Sequence, residues 1–388
     1  MIVHAHYPVG ESRGEQHARA AVDAGYAVHV ICLRSSDEMA SQIIDGVRVV
    51  RLPVEHVRET GTLRFFAEYL RFAFRATLPV LRIHRQAPID VVYVHSPPDF
   101  LAVSALIPKL LGSGVVLDIH DLSPHMFEVR YGDGPLARLA QWGLRLIEGG
   151  ACALADRVIT VHEPYRDELV AHGVPAEKIA VVMNTPTTAA LERARAAADG
   201  RRPGSFVVAY HGTVTHWYGV DLIVEAIGRL DERIPGVSGL IIGEGDALDA
   251  AEELARELGV ETRIHFSHAY VARVEALRRV GAASCGVIPN RRSRLNRFAL
   301  SSKLLDYVAL GVPVVVARLE TLAAHFGPDE VTFFEPDDVD SLAEAIAWVA
   351  EHPQEAGRKA VRARRRAEAY SWRISRERLL ETLSDAAS

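Results

Sequence analysis

The chain has 388 residues, 49% of them apolar and 24% charged, and its formal net charge is −6. Its length exceeds the size at which a single hydrophobic core usually stops growing, so two domains are expected. This composition excludes disordered and fibrous proteins, and the acidic balance gives no overall attraction to nucleic acid, which we do not expect as a partner.

Targeting signals and disulfides are also not indicated. No apolar run is long enough to cross a bilayer, and the opening MIVHAHYPVG is too short and too polar for a signal peptide. Cys32, Cys152 and Cys285 lie in apolar segments without CxxC spacing, as expected for buried thiols in a reducing compartment. The sequence therefore predicts a cytoplasmic protein.

The first half of the chain carries short apolar runs rich in β-branched residues, which are typical of buried parallel strands. These runs cover residues 28–33, 47–52, 91–94, 115–119, 158–161 and 179–183. Amphipathic stretches separate most of them, so the pattern predicts an α/β domain, to which we assign residues 1–195. The polar segment 185–205 has no strand pattern, ends in Gly, Pro and Arg residues, and is predicted to be the linker.

The same alternation restarts after the linker. Strands are predicted at residues 206–210, 240–242, 264–266, 285–288, 312–316 and 331–334. We assign residues 196–370 to a second doubly wound parallel-sheet domain and residues 371–388 to a final amphipathic helix. Ligands of such sheets bind beyond the carboxyl ends of the strands, so the cleft between the two domains is the expected site.

Two strand ends of the second domain carry glycine-containing loops. HGTVTHWYGVD places Gly212 and Thr213 directly after a strand and before a helix that is predicted to begin near Gly219. The N-terminus of a helix presents unpaired N–H groups and suits a phosphate. An ordinary tight turn explains the glycine equally, and GEGD at 243–246 is a weaker signal still.

The segment SSKLLDYVALGVPVVV, at 301–316, predicts a helix that ends at Gly311 and a buried strand after it. Lys303 and Asp306 lie three residues apart on one face of this apolar helix. Burying either charge without a partner would be unfavourable, so we expect both to face a polar ligand. A lysine there could neutralise a diphosphate, and the carboxylate could accept hydrogen bonds from ribose hydroxyls. The alternative is a solvated i,i+3 charge pair.

No metal and no cofactor are expected. The DxD pattern in DDVD, at 337–340, directly precedes a predicted helix, where aspartate is favoured as an N-cap. Several histidines could suggest a metal cluster but lack the spacing of known zinc sites, namely His4, His6, His95, His120, His125 and His162.

Residues 63–85 interleave arginines with aromatic residues on a predicted helix. Such a helix suits the surface of an anionic membrane, which would make the protein peripheral to that membrane. The alternative, which we favour, is a helix of the first domain that packs its aromatic rings on its own sheet and leaves its arginines in water.

Taken together, these blocks resemble the retaining glycosyltransferases of family 4. SSKLLDYVALGVPVVV is similar to a family pattern close to P-x-K-x-x-E-Y-x-A-x-G-x-P-V. YHGTVTHWYGVDLIVEAI, IIGEGD, VVLDIHDLSP and VHEPYRDELVAHGVPAEKIAVVMN resemble further blocks in the same order. The resemblance extends from about residue 7 to residue 383. It implies the GT-B architecture, with two Rossmann-like domains, a cleft between them, and a last helix that crosses back to the first domain.

The resemblance also implies a reaction, the transfer of a sugar from a UDP- or GDP-linked donor to a hydroxyl acceptor with retention of configuration. The acceptor would be a glycan, a lipid-linked molecule or a small molecule. Asp306 would bind the ribose hydroxyls, Lys303 the diphosphate, and the backbone at Gly212–Thr213 would line the phosphate pocket. Glu244 and His268 would lie near the nucleotide base.

His120, at the end of a first-domain strand, matches a histidine that contacts the transferred sugar in similar enzymes, which would make His120 and Lys303 the catalytic residues. A structural histidine bonded to Asp118 or Asp121 is the alternative. Stabilising the diphosphate leaving group is expected to be the largest catalytic effect. The acceptor would attack on the face from which the diphosphate departs, and the departing phosphate would take the acceptor proton.

The sequence departs from the family pattern in its charged residues. Asp306 replaces a longer glutamate, and Phe298 stands where the family usually has a glutamate that holds the donor sugar. Positive charge could come instead from the loop arginines, with Arg291 and Arg297 as candidate phosphate ligands, or that loop could be merely solvated. An inactive relative that only binds, or another GT-B enzyme such as a nucleotide-sugar epimerase or a phosphorylase, therefore stays open.

Overall fold

The computed structural model describes residues 1–8, 12–54, 62–132, 134–196, 205–268 and 271–388. The chain forms two compact units, which confirms the prediction of two α/β domains. Unit 1 contains Met1–Asn184 and Arg373–Ser388, and unit 2 contains Thr185–Trp372.

Unit 1 contains an eight-stranded sheet in the order β3-β4-β2-β1-β5-β6-β7-β8. Its strands are β1 Ile2–His6, β2 His29–Leu33, β3 Ser41–Ile44, β4 Val47–Leu52, β5 Val91–Ser96, β6 Gly114–Ile119, β7 Arg157–Thr160 and β8 Ile179–Val181. All neighbouring strands are parallel except β3 and β4, which form an antiparallel pair at the edge. Neither β1 nor β3 is among the apolar runs found in the sequence.

The helices of unit 1 are α1 Ser12–Asp23, α2 Thr62–Gln86, α3 Leu106–Leu110, α4 Ser123–Tyr131, α5 Pro135–Leu154 and α6 Glu163–Ala171. A 3₁₀ turn at Asp99–Ala105 leads into α3. It packs against both α2 and α5. Among the described residues, no helix combines the length and the hydropathy needed to cross a bilayer.

Unit 2 contains a six-stranded, fully parallel sheet in the order β11-β10-β9-β12-β13-β14. Its strands are β9 Phe206–His211, β10 Val237–Ile242, β11 Ile264–Phe266, β12 Cys285–Ile288, β13 Val314–Ala317 and β14 Thr332–Phe334. Each corresponds to a strand predicted from the sequence. Because β10 and β12 flank β9 on opposite sides, the topological switch point lies where β9 and β12 end.

The helices that cover this second sheet, together with the final helix of the chain, complete the fold. They are α7 Thr188–Ala196, α8 Val220–Leu230, α9 Leu248–Glu257, α10 Arg273–Gly281, α11 Arg294–Phe298, α12 Ser302–Leu310, α13 Glu320–His325, α14 Val339–Glu351, α15 Pro353–Ala367 and α16 Trp372–Ala387. Two sequence predictions are confirmed at helix ends. Gly311 terminates α12 in the left-handed conformation, with φ 74°, and the Asp338 side chain caps α14 by accepting a hydrogen bond from Ser341 N at 2.9 Å.

The division of the chain differs from the expected boundary at 195/196. It falls between Asn184 and Thr185, because α7 packs against α10 and α12 of unit 2. The final helix α16 belongs to unit 1. There Arg378 donates a hydrogen bond to the Val181 carbonyl at 3.3 Å, and a Cβ on Gly114 would overlap the carbonyl of Ala386.

Candidate functional site

A polar cluster of unit 2 lies at the switch point of its sheet. β9 ends in His211 and is followed by the loop that carries Gly212, while α12 begins with Lys303 in its first turn. Strand ends and helix N-termini converge at this edge of a parallel sheet, so the fold brings together residues that are far apart in sequence.

Asp306 is the buried centre of this cluster, with 3% of its surface exposed. His211 Nε2 lies 3.0 Å from Asp306 Oδ2, and Arg273 Nη2 donates to Asp306 Oδ1 at 2.9 Å. Burial alone would raise the pKa of Asp306, but the charge of Arg273 and the hydrogen bond from His211 hold it below its ordinary value. The carboxylate is therefore ionised at neutral pH.

Lys303 lies partly buried beside two aromatic rings. Its Nζ is 4.3 Å from the ring centroid of Tyr218 and 5.3 Å from that of Tyr210. Burial lowers the pKa of the Lys303 ammonium to about 8, and the charge of Asp306 opposes this shift. Among the described residues the ammonium has no hydrogen-bond acceptor, so its donors are available to an anion.

The Gly212 loop is shaped by two glycines that allow close contacts. Gly212 has φ +114°, and a Cβ there would lie 2.4 Å from Lys303 Cε. A Cβ on Gly243 would lie 1.9 Å from the carbonyl oxygen of Gly212. Tyr210 fixes the loop further by donating its hydroxyl proton to the Thr213 carbonyl at 2.6 Å. The lysine stem therefore packs directly on the loop that was predicted to line a phosphate pocket.

The two residues expected near a nucleotide base follow the neighbouring strands β10 and β11. Glu244 is partly buried, and its carbonyl accepts a hydrogen bond from Val214 N at 3.0 Å. His268 is largely exposed, and its Nδ1 lies 3.1 Å from Glu252 Oε1. Both residues lie on the same sheet edge as the Lys303 cluster, and their contact with a base stays a prediction.

Arg291 and Arg297 both form ion pairs with carboxylates of unit 2. Arg291 pairs with Asp221 and donates to Asp337 Oδ1 at 3.2 Å. Arg297 is exposed and donates to Glu320 Oε2 at 2.5 Å. These ion pairs differ from the phosphate contacts expected of the two arginines. Phe298, the last residue of α11, is half-buried beside the Arg297 guanidinium.

His120 directly follows β6 in unit 1, and its ring centroid lies 6.0 Å from that of His95. Its Nδ1 is buried and has no hydrogen-bond partner among the described residues. Asp118 receives its hydrogen bonds elsewhere: Arg13 donates from Nε and Nη2 at 2.9 Å each, and the Tyr93 hydroxyl donates at 2.6 Å. The alternative in which Asp118 holds His120 as a structural histidine is therefore not supported.

The polar cluster that surrounds Asp118 of β6 was not predicted from the sequence. The ligand atoms of His17, His95 and Asp118 lie within 4.8 Å of one another, as a metal site would require. Burial works against ionisation of Asp118, but Arg13 holds its pKa well below the usual range. The guanidinium therefore already supplies the positive charge that a metal ion would bring.

His211 and Arg273 were also missed. They lie 95 and 33 residues from Asp306 in the chain, so no local spacing links them to it. The rule that strand ends carry function could have found both residues, since His211 closes β9 and Arg273 opens the helix after β11.

Comparisons with known proteins agree with this architecture. A family model described as "Glycosyl transferase 4-like domain" matches residues 11–185, and a second, "Glycosyl transferases group 1", matches residues 191–369. A GDP-mannose-dependent α-(1-6)-phosphatidylinositol monomannoside mannosyltransferase of Mycolicibacterium smegmatis is 28% identical over 43% of this chain and 44% of that protein. A glycogen synthase of Mycobacterium tuberculosis is 29% identical over 55% of this chain and 50% of the enzyme. The chain spans about half the length of the curated relatives it matches.

Solved structures share the fold over nearly the whole chain. Sucrose-phosphate synthase of Thermosynechococcus elongatus has a TM-score of 0.74 at 18% identity, covering 95% of this chain and 91% of that one. Anabaena HepE in complex with UDP-glucose has a TM-score of 0.70 at 15% identity, covering 99% and 98%. At these identities the similarity shows the fold alone. Together, the two family models and this fold place the chain among the family 4-like glycosyltransferases with GT-B architecture.

Proposed function

We propose that this protein transfers a sugar from a nucleotide-diphosphate donor, UDP- or GDP-linked, to a hydroxyl acceptor with retention of configuration. The observation that carries the proposal is Lys303, a partly buried ammonium that has no hydrogen-bond acceptor among the described residues and lies on the Gly212 loop. A cation in this setting has lost hydration without gaining a bonded anion, which is unfavourable until an anion binds.

The position of Lys303 within its helix supports the same conclusion. It lies in the first turn of α12, whose N-cap residue Ser301 makes no capping hydrogen bond through its side chain. The positive end of a helix dipole disfavours a cation and favours an anion. A diphosphate would interact favourably with both the ammonium and the helix terminus, so it is the ligand that suits this place.

Asp306 suits the ribose of the same nucleotide. His211 and Arg273 each bond one of its oxygens, and a carboxylate oxygen can accept a second hydrogen bond. The two donors keep the carboxylate ionised and fix its direction, which favours bidentate binding of vicinal hydroxyls. His211 and Arg273 are in this scheme positioning residues.

The reaction requires stabilisation of the departing diphosphate while the sugar gains oxocarbenium character. Lys303 supplies positive charge where negative charge develops, and such fixed electrostatic groups usually provide the largest catalytic effect. We propose that no metal is needed for this step. In unit 1, His120 Nδ1 has no hydrogen-bond partner in the described part of the chain, which suits a contact with a sugar hydroxyl.

The acceptor is proposed by class only. The mannosyltransferase relative is named for a phosphatidylinositol glycolipid, whereas the glycogen synthase relative is named for a polysaccharide. Biosynthesis of a glycolipid, a polysaccharide or a glycosylated small molecule, at a cytoplasmic location, is consistent with both.

A second candidate is a binding-only relative, which the half-buried Phe298 favours, because this side chain cannot hold sugar hydroxyls as a glutamate would. Incubation with UDP- and GDP-linked sugars tests both candidates. Release of free nucleotide that accelerates with an acceptor supports transfer, whereas binding without turnover for every donor and acceptor supports the second candidate. Epimerised donor, or transfer to inorganic phosphate, would indicate another GT-B enzyme.

A further inference from the structure

Three neighbouring helical segments of unit 1 expose large apolar side chains. On α5, four large apolar side chains form an exposed stripe along one helix face. Their exposed fractions are 84% for Leu136, 63% for Leu139, 60% for Trp142 and 56% for Leu146. The stripe covers nearly three turns of one helix face. Isolated exposed apolar residues are normal, but a contiguous row of this kind marks an interaction surface.

The same feature continues on the adjacent segments. Phe74 on α2 is 77% exposed, and Leu110 on α3 is 77% exposed. The 3₁₀ turn Asp99–Ala105 packs against both α2 and α5, so these segments are neighbours. We call these six residues, Leu136, Leu139, Trp142, Leu146, Phe74 and Leu110, the apolar surface of unit 1.

On α2 the structure combines features of both interpretations of residues 63–85. Phe72 is fully buried, as the packing interpretation expects, while Phe74 points to solvent, as the membrane interpretation expects. Arg64, Phe65 and Phe66 lie in the part of this helix whose side chains are outside the described set.

Among the described residues, the exposed charges on these three segments are all positive. Arg71, Arg82 and Arg145 are exposed on α2 and α5. The carboxylates of the same segments are turned inward: Glu68 lies 3.2 Å from His4 Nε2, and Glu148 lies 2.6 Å from His172 Nδ1. Asp99 is also buried, against Ser96. Within the described part of the three segments, the exposed side therefore combines arginine, tryptophan and aliphatic residues without an exposed carboxylate.

We propose that the apolar surface of unit 1 docks onto the surface of an anionic lipid bilayer. Arginine heads can pair with lipid phosphates while the leucines and the tryptophan enter the boundary between headgroups and acyl chains. A second copy of this chain suits the surface less well, because a symmetric contact would place arginines against arginines with no carboxylate of these segments between them. The proposal is independent of the sugar-transfer site.

Flotation with vesicles of phosphatidylcholine, with and without phosphatidylglycerol, tests the proposal. We expect the full chain to float with the phosphatidylglycerol vesicles, to float less with phosphatidylcholine alone, and to dissociate as salt is raised. Leu139→Ser with Leu146→Ser should lower the partition coefficient by at least about tenfold, because two leucines lose their burial in lipid.

The matched control is Ile43→Ser with Val361→Ser, at residues that are 68% and 55% exposed outside the surface, and it should float like the parent chain. Arg82→Gln with Arg145→Gln should weaken flotation by about fivefold for each arginine and flatten its salt dependence. Circular dichroism and urea unfolding, measured in parallel, show whether each variant is folded, and both should match those of the parent chain.

Two outcomes would overturn the proposal. One is flotation that is absent, or that persists unchanged in Leu139→Ser with Leu146→Ser. The other is a dimer that this double variant dissociates in sedimentation experiments while no vesicle binding is seen, which would assign the surface to a second copy of the chain.

Discussion

Lys303 Nζ lies 4.3 Å from the ring centroid of Tyr218, as close as Lys359 Nζ lies to the ring of Trp348 in the same unit. The two lysines differ in one respect. Lys359 donates a hydrogen bond to the Val331 carbonyl at 3.4 Å, whereas the Lys303 ammonium has no acceptor among the described residues. Lys359 is thus a matched control for the proposed phosphate contact.

Replacing Lys303 by alanine should therefore weaken binding of UDP or GDP by about tenfold to a hundredfold, because a charge-assisted hydrogen bond contributes about 1.5–3 kcal/mol. Isothermal titration calorimetry measures this change. Lys359→Ala should bind nucleotide like the parent chain, and equal losses in the two variants would remove Lys303 from the site.

The pKa of Lys303, about 8, predicts a pH dependence of nucleotide affinity. The ammonium binds the diphosphate and the neutral amine does not, so affinity should fall as pH rises from about 7 to about 9.5, above the phosphate titration. Lys303→Ala should lack this fall. An identical pH profile in the variant would show that another group titrates.

The lowered pKa of Lys303 also makes the free energy of unfolding depend on pH. The folded chain binds fewer protons at Lys303 than the unfolded chain between about pH 8 and the ordinary value of 10.5. The free energy of unfolding should therefore rise with pH in this window, and the contribution of Lys303 should be least favourable below it. Urea unfolding of the parent chain and Lys303→Ala at several pH values measures the difference. Parallel curves would contradict the prediction.

Asp306→Asn should destabilise unit 2 by about 3 kcal/mol, because it removes the negative charge of a buried carboxylate that pairs with Arg273 at 2.9 Å. Nucleotide affinity should also fall, since the amide offers fewer acceptors to ribose. Urea unfolding and calorimetry provide the two readouts. Glu320→Gln, which breaks the exposed pair with Arg297, is the control and should leave both unchanged.

Gly212→Ala should move Lys303, because the new Cβ would lie 2.4 Å from the lysine Cε. The residue also has a positive φ, so some loss of stability, about 1 kcal/mol, is expected from the backbone alone. Gly173→Ala separates the two effects, since Gly173 has φ +94° and a Cβ added there would meet nothing within 4 Å. Reduced nucleotide affinity in Gly212→Ala but not in Gly173→Ala would confirm the steric effect, whereas unchanged affinity in both would contradict it.

The sequence predicted the second sheet better than the first for a physical reason. In unit 2, β12 and β13 are buried at every residue and β9 is apolar up to Tyr210, as buried parallel strands should be. In β1 the histidines His4 and His6 interrupt that pattern, and His4 is buried against Glu68 of α2, a contact that no local pattern reveals. β3 is an exposed edge strand and has no buried run to detect.

The site was predicted in part. Lys303 and Asp306 were predicted to be site residues because burying a charge on an apolar helix is unfavourable without a partner. In the structure Asp306 is buried and Lys303 is partly buried. The partners of Asp306 and the carboxylates that hold Arg291 come from distant parts of the chain. Spacing along the sequence carries no information about such contacts, so the pairing of Arg291 with two aspartates could not be predicted, and a phosphate contact of the loop arginines stays a prediction.

The contact between Gly243 and the Gly212 carbonyl limits which substitutions the loops after β9 and β10 can accept. Any side chain at either glycine would push β-strand ends apart or displace the lysine. Thr213 is exposed and Glu244 is partly buried, so these two positions can accept other side chains without disturbing that contact. Efforts to change the preferred nucleotide by engineering should therefore begin at 213 and 244 and leave both glycines intact.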